Sequence, residues 1–151
     1  MGRGGRGAKV AVALAAGAVP FALGFGTASA DEAFAQSFAK QHTFTAGNGQ
    51  AVTCTFTGDS SLQKADGQAT FDAEALTDAF GEDPACAVHF VEVIVTYTDG
   101  SGRQKRTGAD SIDGDVRWFG DDVAGGFSVL HRVTFDDCRA NCEASATTSP
   151  K

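Results

Sequence analysis

Basic side chains are scarce in this chain, which has 12 Lys and Arg residues against 19 Asp and Glu and a formal net charge of −7 at pH 7. Three of the 12 are Arg3, Arg6 and Lys9, so the chain beyond residue 30 carries nine basic and 19 acidic residues, a net charge of −10. Phosphate backbones and anionic lipid surfaces repel such a protein. The composition therefore argues against nucleic acid and anionic membranes as partners.

Long apolar runs are absent beyond residue 30. The one such run starts at Val10, follows the three basic residues and ends in Ala28-Ser29-Ala30, an A-x-A cleavage pattern. Because it is rich in Ala and Gly and is broken by Pro20, it falls short of the ~20 strongly apolar residues that a membrane span needs. The pattern predicts a signal peptide over residues 1–30 and a secreted, extracellular protein without a stable membrane anchor after cleavage. A retained membrane anchor is the alternative.

Familiar catalytic motifs are missing as well. The sequence contains neither G-x-S-x-G nor H-E-x-x-H. Of the histidines, His89 and His131 alternate with Val and Phe residues, which is typical of core or core-edge histidines with a hydrogen-bond partner. His42 begins a predicted hairpin and carries no other signal. We therefore expect no catalytic residues, no enzymatic activity and no cofactor.

Four cysteines are present, at positions 54, 86, 138 and 142, and an even number in an exported chain predicts two disulfides. A zinc site is disfavoured because no second pair faces Cys138 and Cys142 and no histidine stands at finger spacing. Three connectivities are possible. We favour Cys54 with Cys86 and Cys138 with Cys142; the alternative ties the last two cysteines separately to the first two.

Alternation of apolar and polar residues dominates the chain after residue 41. It predicts a hairpin over residues 42–57, with a turn at Asn48-Gly49 and Cys54 pointing into the core. Residues 87–98 are apolar on both faces and predict a central strand. Residues 103–108 are polar on both faces and predict an edge strand.

Other segments carry weaker patterns. We predict a short strand over residues 68–71, one helical turn at 73–80, and two further strands at 116–119 and 127–135. Residues 31–41 are an N-terminal extension that forms either a short helix or a first strand. The small and polar residues of 143–151 predict a flexible C-terminal tail.

Together these segments predict an all-β fold. About seven short strands with Gly-rich turns favour a single antiparallel β-sandwich of immunoglobulin-like kind over residues 42–142, stabilised by the two disulfides. Such an architecture does not by itself define a function.

Two groups of residues are candidate binding sites. Arg103, Lys105 and Arg106 form a basic strip just past a tight turn, where they could dock an acidic partner or face a protease. The alternative is a charged edge strand that resists aggregation. Trp118 and Phe119 are adjacent, so on a strand they point to opposite faces, one into the core and the other outward as an aromatic contact. The alternative is that both belong to a two-sided core.

Five aspartates, at positions 110, 113, 115, 121 and 122, form the densest charged feature. Calcium needs six to eight oxygen ligands, which loops at one end of a β-sandwich can supply. However, the spacing does not match the calcium-loop pattern, and aspartate is common in solvated turns. We therefore expect ordinary turns and no metal, with calcium as an alternative.

The function that these features favour is that of a secreted, noncatalytic module that binds an extracellular protein or glycan, or that is a component of the cell envelope. One alternative is an inhibitor of an extracellular protease or glycosidase that presents residues 99–107. A small hydrolase that uses the clustered carboxylates is a third possibility, which predicts that Asp113 or Asp115 would be essential for turnover.

Overall fold

The computed structural model describes residues 33–112 and 114–150, so the signal peptide predicted for residues 1–30 lies outside the described part. The described chain is built from strands. They are β1 (Ala33–Ala46), β2 (Ala51–Gln63), β3 (Phe71–Phe80), β4 (Val88–Asp99), β5 (Gln104–Ser111), β6 (Val116–Phe135), β7 (Cys138–Ala140) and β8 (Glu143–Thr148). A short 3₁₀ turn, Pro84–Cys86, precedes β4.

The strands form one antiparallel sheet in the order β5-β4-β6-β3-β2-β1-β7, and β8 pairs with β6 beside this path. β6 is 20 residues long and pairs with strands in both halves of the sheet. Its first part pairs with β3, while its second part pairs with β4 and β8. The all-β prediction is therefore confirmed, but the observed sheet is a curled half-barrel in place of two facing immunoglobulin-like sheets.

The sheet curls where β6 pairs irregularly with the end of β4. The register shifts on both sides of Thr98, and Gly126 has a φ of 62° that glycine adopts without steric cost. Such irregularities bend and twist a strand. This is why residues 116–119 and 127–135, which the sequence predicts as two short strands, belong to one strand that turns across the molecule.

The core lies inside the curl and is lined by alternate residues of each strand. Val91, Val93 and Val95 of β4 are fully buried, as predicted for a central strand with its apolar residues turned inward. Across the core, the rings of Phe44 in β1 and Phe135 in β6 stack with centroids 4.6 Å apart. Burial of these side chains supplies the main driving force for folding.

Both disulfides follow the connectivity that we favoured. Cys54 of β2 bonds Cys86 in the 3₁₀ turn, with the two Cα atoms 5.8 Å apart, and Cys138 bonds Cys142 across the turn between β7 and β8. Cys54 is buried, as the hairpin pattern predicts. Two disulfides fit an extracellular protein, because reducing compartments keep thiols free.

The C-terminal segment closes the curl. β7 pairs with β1 at one end of the sheet, and β8 pairs with β6. Asn141, between them, has a φ of 62°, and its Nδ2 donates to the carbonyl of Thr43 at 2.7 Å. The composition predicts a flexible tail here, yet the inward side chains Ala144 and Thr148 are buried. The hydroxyl oxygen of Thr148 lies 2.6 Å from that of Ser60 in β2, so β8 contacts β2 as well as β6.

Two other predicted segments differ in the structure. Of residues 68–71, which the sequence predicts as a short strand, only Phe71 belongs to a strand. Residues 73–80 lie in β3 rather than in a helical turn, because Ala73, Ala75 and Thr77 point inward at a period of two. The N-terminal extension forms a first strand, which is one of its two predicted alternatives, since β1 begins at Ala33. The predicted hairpin is confirmed: β1 and β2 pair around Asn48-Gly49, where Gly49 has a φ of 87°.

Candidate functional site

The hairpin between β4 and β5 is organised by the carboxylate of Asp99. Its Oδ1 accepts hydrogen bonds from the amide of Ser101 at 2.9 Å, the hydroxyl of Ser101 at 2.7 Å and the amide of Arg103 at 2.9 Å. The backbone closes the same turn, since the Asp99 amide donates to the Arg103 carbonyl at 2.8 Å. A charged acceptor with several donors makes this turn rigid before any partner arrives.

These contacts also determine the ionisation of Asp99. The hydroxyl of Ser101 lowers the pKa of Asp99 to about 2, with help from the Arg103 amide and the charge of Lys105. The Lys105 ammonium lies 3.7 Å from the other carboxylate oxygen. Asp99 is therefore ionised at every pH at which the protein is expected to work.

Beyond this turn, β5 is an edge strand, as predicted. It ends the strand order and, within residues 33–112 and 114–150, pairs with β4 alone. Arg103, Lys105 and Arg106 are all exposed. The pairing places Lys105 opposite Tyr97 and Arg106 opposite Thr96, so that the positive charges extend over both faces of the edge.

Trp118 and Phe119 point to opposite faces of β6. Trp118 is 8% exposed and packs against Tyr97 with ring centroids 6.0 Å apart, whereas Phe119 is 68% exposed. Phe119 is paired with Glu74 of β3, on the convex side of the sheet. The candidate residues therefore do not form one site. The basic strip spans the end of the turn and the start of β5, whereas Trp118 packs in the core and Phe119 is exposed on β6.

The aspartates form no metal site in the described residues. No three His, Cys, Asp or Glu side chains in residues 33–112 and 114–150 are grouped so that they could hold a metal ion, and Asp113 lies outside those ranges. Two of the aspartates, both in β6, have hydrogen bonds to neighbouring loops, one through its carboxylate and the other through its backbone. Asp122 accepts a hydrogen bond from the Gly100 amide at 3.3 Å, and the Asp121 carbonyl accepts one from Thr70 at 3.2 Å.

The histidines occupy different environments. His131 is fully buried, as predicted, but His89 is exposed and lies 3.8 Å from Asp136. The core-edge prediction for His89 was wrong because the β4–β6 register shifts between Val88 and Phe90, which takes His89 out of the regular alternation. The Nε2 of His42 lies 2.8 Å from the Asn141 carbonyl.

His131 sits in a buried chain of hydroxyl groups. Its Nδ1 lies 3.0 Å from Thr77 Oγ1, its Nε2 lies 3.0 Å from Thr148 Oγ1, and the Thr148 oxygen lies 2.6 Å from Ser60 Oγ. None of these four residues is more than 3% exposed. The chain connects β2, β3, β6 and β8.

Sequence reasoning did not identify Asp99 as the residue that organises the hairpin. A signal for it was present, because aspartate followed by Gly-Ser-Gly is typical of a turn in which the side chain accepts local backbone hydrogen bonds. The hydroxyl partners of His131 had no comparable signal. They lie 54 and 17 residues away along the chain and meet it only in the folded sheet.

Comparison of the chain with protein-family models, with curated proteins and with solved structures finds no match. In the described residues, no helix is long and apolar enough to cross a membrane. The β4–β5 hairpin with its basic edge strand is therefore assigned as the candidate functional site on its geometry and charge alone.

The rigidity of this hairpin can be tested by removing the carboxylate. In an Asp99→Ala variant we expect amide hydrogen exchange at Ser101 and Arg103 to rise by about tenfold or more, since both amides lose a charged acceptor. Asp99→Asn, which keeps a neutral acceptor, should be intermediate. Asp110→Ala, which removes an exposed carboxylate from β5, is the control. Equal exchange in all variants would show that the backbone alone holds the turn.

Proposed function

We propose that this chain is a secreted, noncatalytic protein that binds another protein outside the cell, and that the β4–β5 hairpin is its contact surface. The observation that carries the proposal is the concentration of three exposed cations at a free sheet edge, in a chain whose net charge beyond residue 30 is −10. Complementary charge accelerates and orients association with an acidic partner. The rigid turn at Asp99 lowers the entropic cost of binding.

Secretion is supported by the two disulfides and by the leader pattern of residues 1–30. We expect protein collected from the growth medium to begin at Asp31 and to contain no free thiol. Intact-mass measurement under non-reducing conditions, followed by N-terminal sequencing, will check both points. Protein that stays in the cytoplasm with an intact leader would refute export.

Binding can be tested by affinity capture from the extracellular and envelope fractions. The oxidised protein should retain a partner that a variant with Arg103→Glu, Lys105→Glu and Arg106→Glu does not, and the retained amount should fall at high salt. Arg139→Glu, which reverses an exposed cation on β7, is the matched control. Equal capture by all three proteins would remove the hairpin from the proposal. If the retained molecule is a glycan, the proposed partner would be a glycan and not a protein.

A second candidate function is the inhibition of an extracellular hydrolase. It is favoured by the same rigid turn, which presents Arg103 on a hairpin that resists deformation. Inhibition of trypsin-like and subtilisin-like proteases should then depend on Arg103, Lys105 or Arg106 when each is changed singly to alanine. Absence of inhibition by the unmodified protein would exclude these protease targets.

A further inference from the structure

The backbone of β5 offers hydrogen-bonding groups on its free side. Because Arg103 and Asp99 form a hydrogen-bonded pair, antiparallel alternation directs the amides and carbonyls of Lys105 and Thr107 toward β4. Those of Gln104, Arg106 and Gly108 then point away from the sheet. Within residues 33–112 and 114–150, no strand pairs with that side.

The charges on β5 restrict what can pair there. Lys105 has Asp99 as a neighbour at 3.7 Å, while Arg103 and Arg106 have no ion pair within the described residues. The cations lie at the start of β5, and the exposed carboxylate of Asp110 lies toward its other end. An acidic segment is favoured beside the start of the strand, because there its carboxylates would face the cations.

We infer that the free edge of β5 accepts an extended acidic segment of a partner protein as an additional strand, held by the outward backbone groups of Gln104, Arg106 and Gly108 and by the three cations. Strand addition to an exposed edge combines main-chain hydrogen bonds with side-chain selection. The inference rests on the proposed function, which it extends by naming the chemistry of the partner.

The positions of the cations determine how acidic residues should be spaced in the partner segment. Arg106 projects to the convex face of the sheet, and Lys105 projects to the face that carries Tyr97. Successive residues of an added strand point to alternate faces. The preferred segment therefore has consecutive acidic residues, so that both faces of the edge are matched.

An NMR titration of the oxidised full chain tests this inference. The probe is a capped peptide with three consecutive glutamates flanked by Thr and Val, and the control peptide has glutamine at those three positions. We expect the glutamate peptide to shift the amide signals of Gln104, Arg106 and Gly108 and to slow their hydrogen exchange. Arg106→Glu should weaken binding about tenfold or more, while Arg139→Glu should bind as the wild type does.

The variant Gln104→Pro separates strand addition from simple charge attraction. It removes one outward amide and keeps all three cations, and proline is tolerated where the amide faces away from the sheet. Loss of that hydrogen bond should weaken peptide binding about fivefold to tenfold. The amide spectrum of the variant verifies that the fold is intact, and exchange protection of Arg106 and Gly108 in wild-type protein provides a test that does not depend on the variant.

The outcomes also separate this inference from the proposed function. Peptide binding with no protection of the outward amides, or with full affinity in Gln104→Pro, would show attraction by charge alone and overturn strand addition. Failure of the glutamate peptide to bind at about 1 mM would overturn the acidic-strand inference as well. In either case the capture experiment would still decide whether the hairpin binds a protein.

Discussion

Replacing Cys54 and Cys86 together by alanine will lower the free energy of unfolding by about 3 to 4 kcal/mol. The cysteines are 32 residues apart, and on the chain-entropy model their bond restricts the unfolded chain by that amount. In the folded protein the bond joins β2 to the 3₁₀ turn that precedes β4. The chain between these two points is long and includes all of β3. Urea unfolding without reductant at pH 7, followed by circular dichroism, measures the loss.

The second disulfide is the matched control for this prediction. Cys138 and Cys142 are only four residues apart, so that on the same model their replacement by alanine costs about 2 kcal/mol. We therefore expect the first double variant to be clearly less stable than the second. An equal or reversed order would mean that the turn between β7 and β8, which helps to close the curl, matters more than loop length.

Acidification will destabilise the protein through His131. Burial lowers the pKa of this imidazole from 6.5 to about 4, while hydrogen bonding to the Leu76 backbone acts in the opposite direction. The groups that face the ring, which are Thr77, Thr148, Phe38 and Gly58, are all uncharged. The two hydroxyls can accept hydrogen bonds from a protonated ring. Protonation of His131 is therefore unfavourable because the buried charge loses its hydration, and not because hydrogen bonds are lost.

The pKa shift determines the direction of the pH effect. The unfolded chain binds a proton at pH values below 6.5, whereas the folded chain does so only near pH 4, so lowering the pH favours the unfolded state. The stability contributed by neutral His131 is complete above pH 6.5 and is lost as the pH falls to about 4. The shift corresponds to about 3 kcal/mol.

A non-titrating variant isolates this contribution. Between pH 7 and pH 4, His131→Gln should lose about 3 kcal/mol less stability than the wild type, although it will be less stable at pH 7 because the packing changes. The exposed His89 provides the control, since His89→Gln should keep the pH dependence of the wild type. Urea unfolding at four or five pH values measures each curve. Parallel curves for the wild type and His131→Gln would contradict the prediction.

Local patterns predicted those parts of the fold in which large apolar residues alternate with polar ones. The valines of β4, the hairpin at Asn48-Gly49 and the polar edge strand β5 each lie where the sequence places them. The number of disulfides followed from the even cysteine count and the expected compartment, and the pairing in the structure is the one that we favoured among three possibilities. In these segments the residue pattern and the turn chemistry agree, which makes the local signal decisive.

The alternation of apolar and polar residues does not predict a strand where small residues form its inner face. β3 presents Ala73, Ala75 and Thr77 to the core, and β8 presents Ala144 and Thr148, so neither strand has a strong contrast between its faces. Leu76 and Phe80 share the outer face of β3, and their separation by four residues imitates a helix. The inner faces of β3 and β8 meet β6, where Thr77 and Thr148 contact His131, and these contacts exist only in the folded sheet.

One part of the candidate site could likewise be predicted from the sequence, and another part could not. Its cations and its edge position could be predicted from residues 99–108, because a turn followed by a strand polar on both faces is a local signal. The separation of Phe119 from that edge could not, since it depends on which strands β6 pairs with.

The sequence by itself determined that the chain is acidic, carries an export pattern, forms two disulfides and is built from antiparallel strands. These properties follow from composition, spacing and a period of two, which act over a few residues. Only the tertiary structure decided that the strands form one curled sheet, that β8 closes it, and that His131 lies among hydroxyl groups. Those features depend on contacts between residues far apart in the chain. Such contacts stabilise the protein only after the curled sheet has brought the residues together, at the cost of closing long loops.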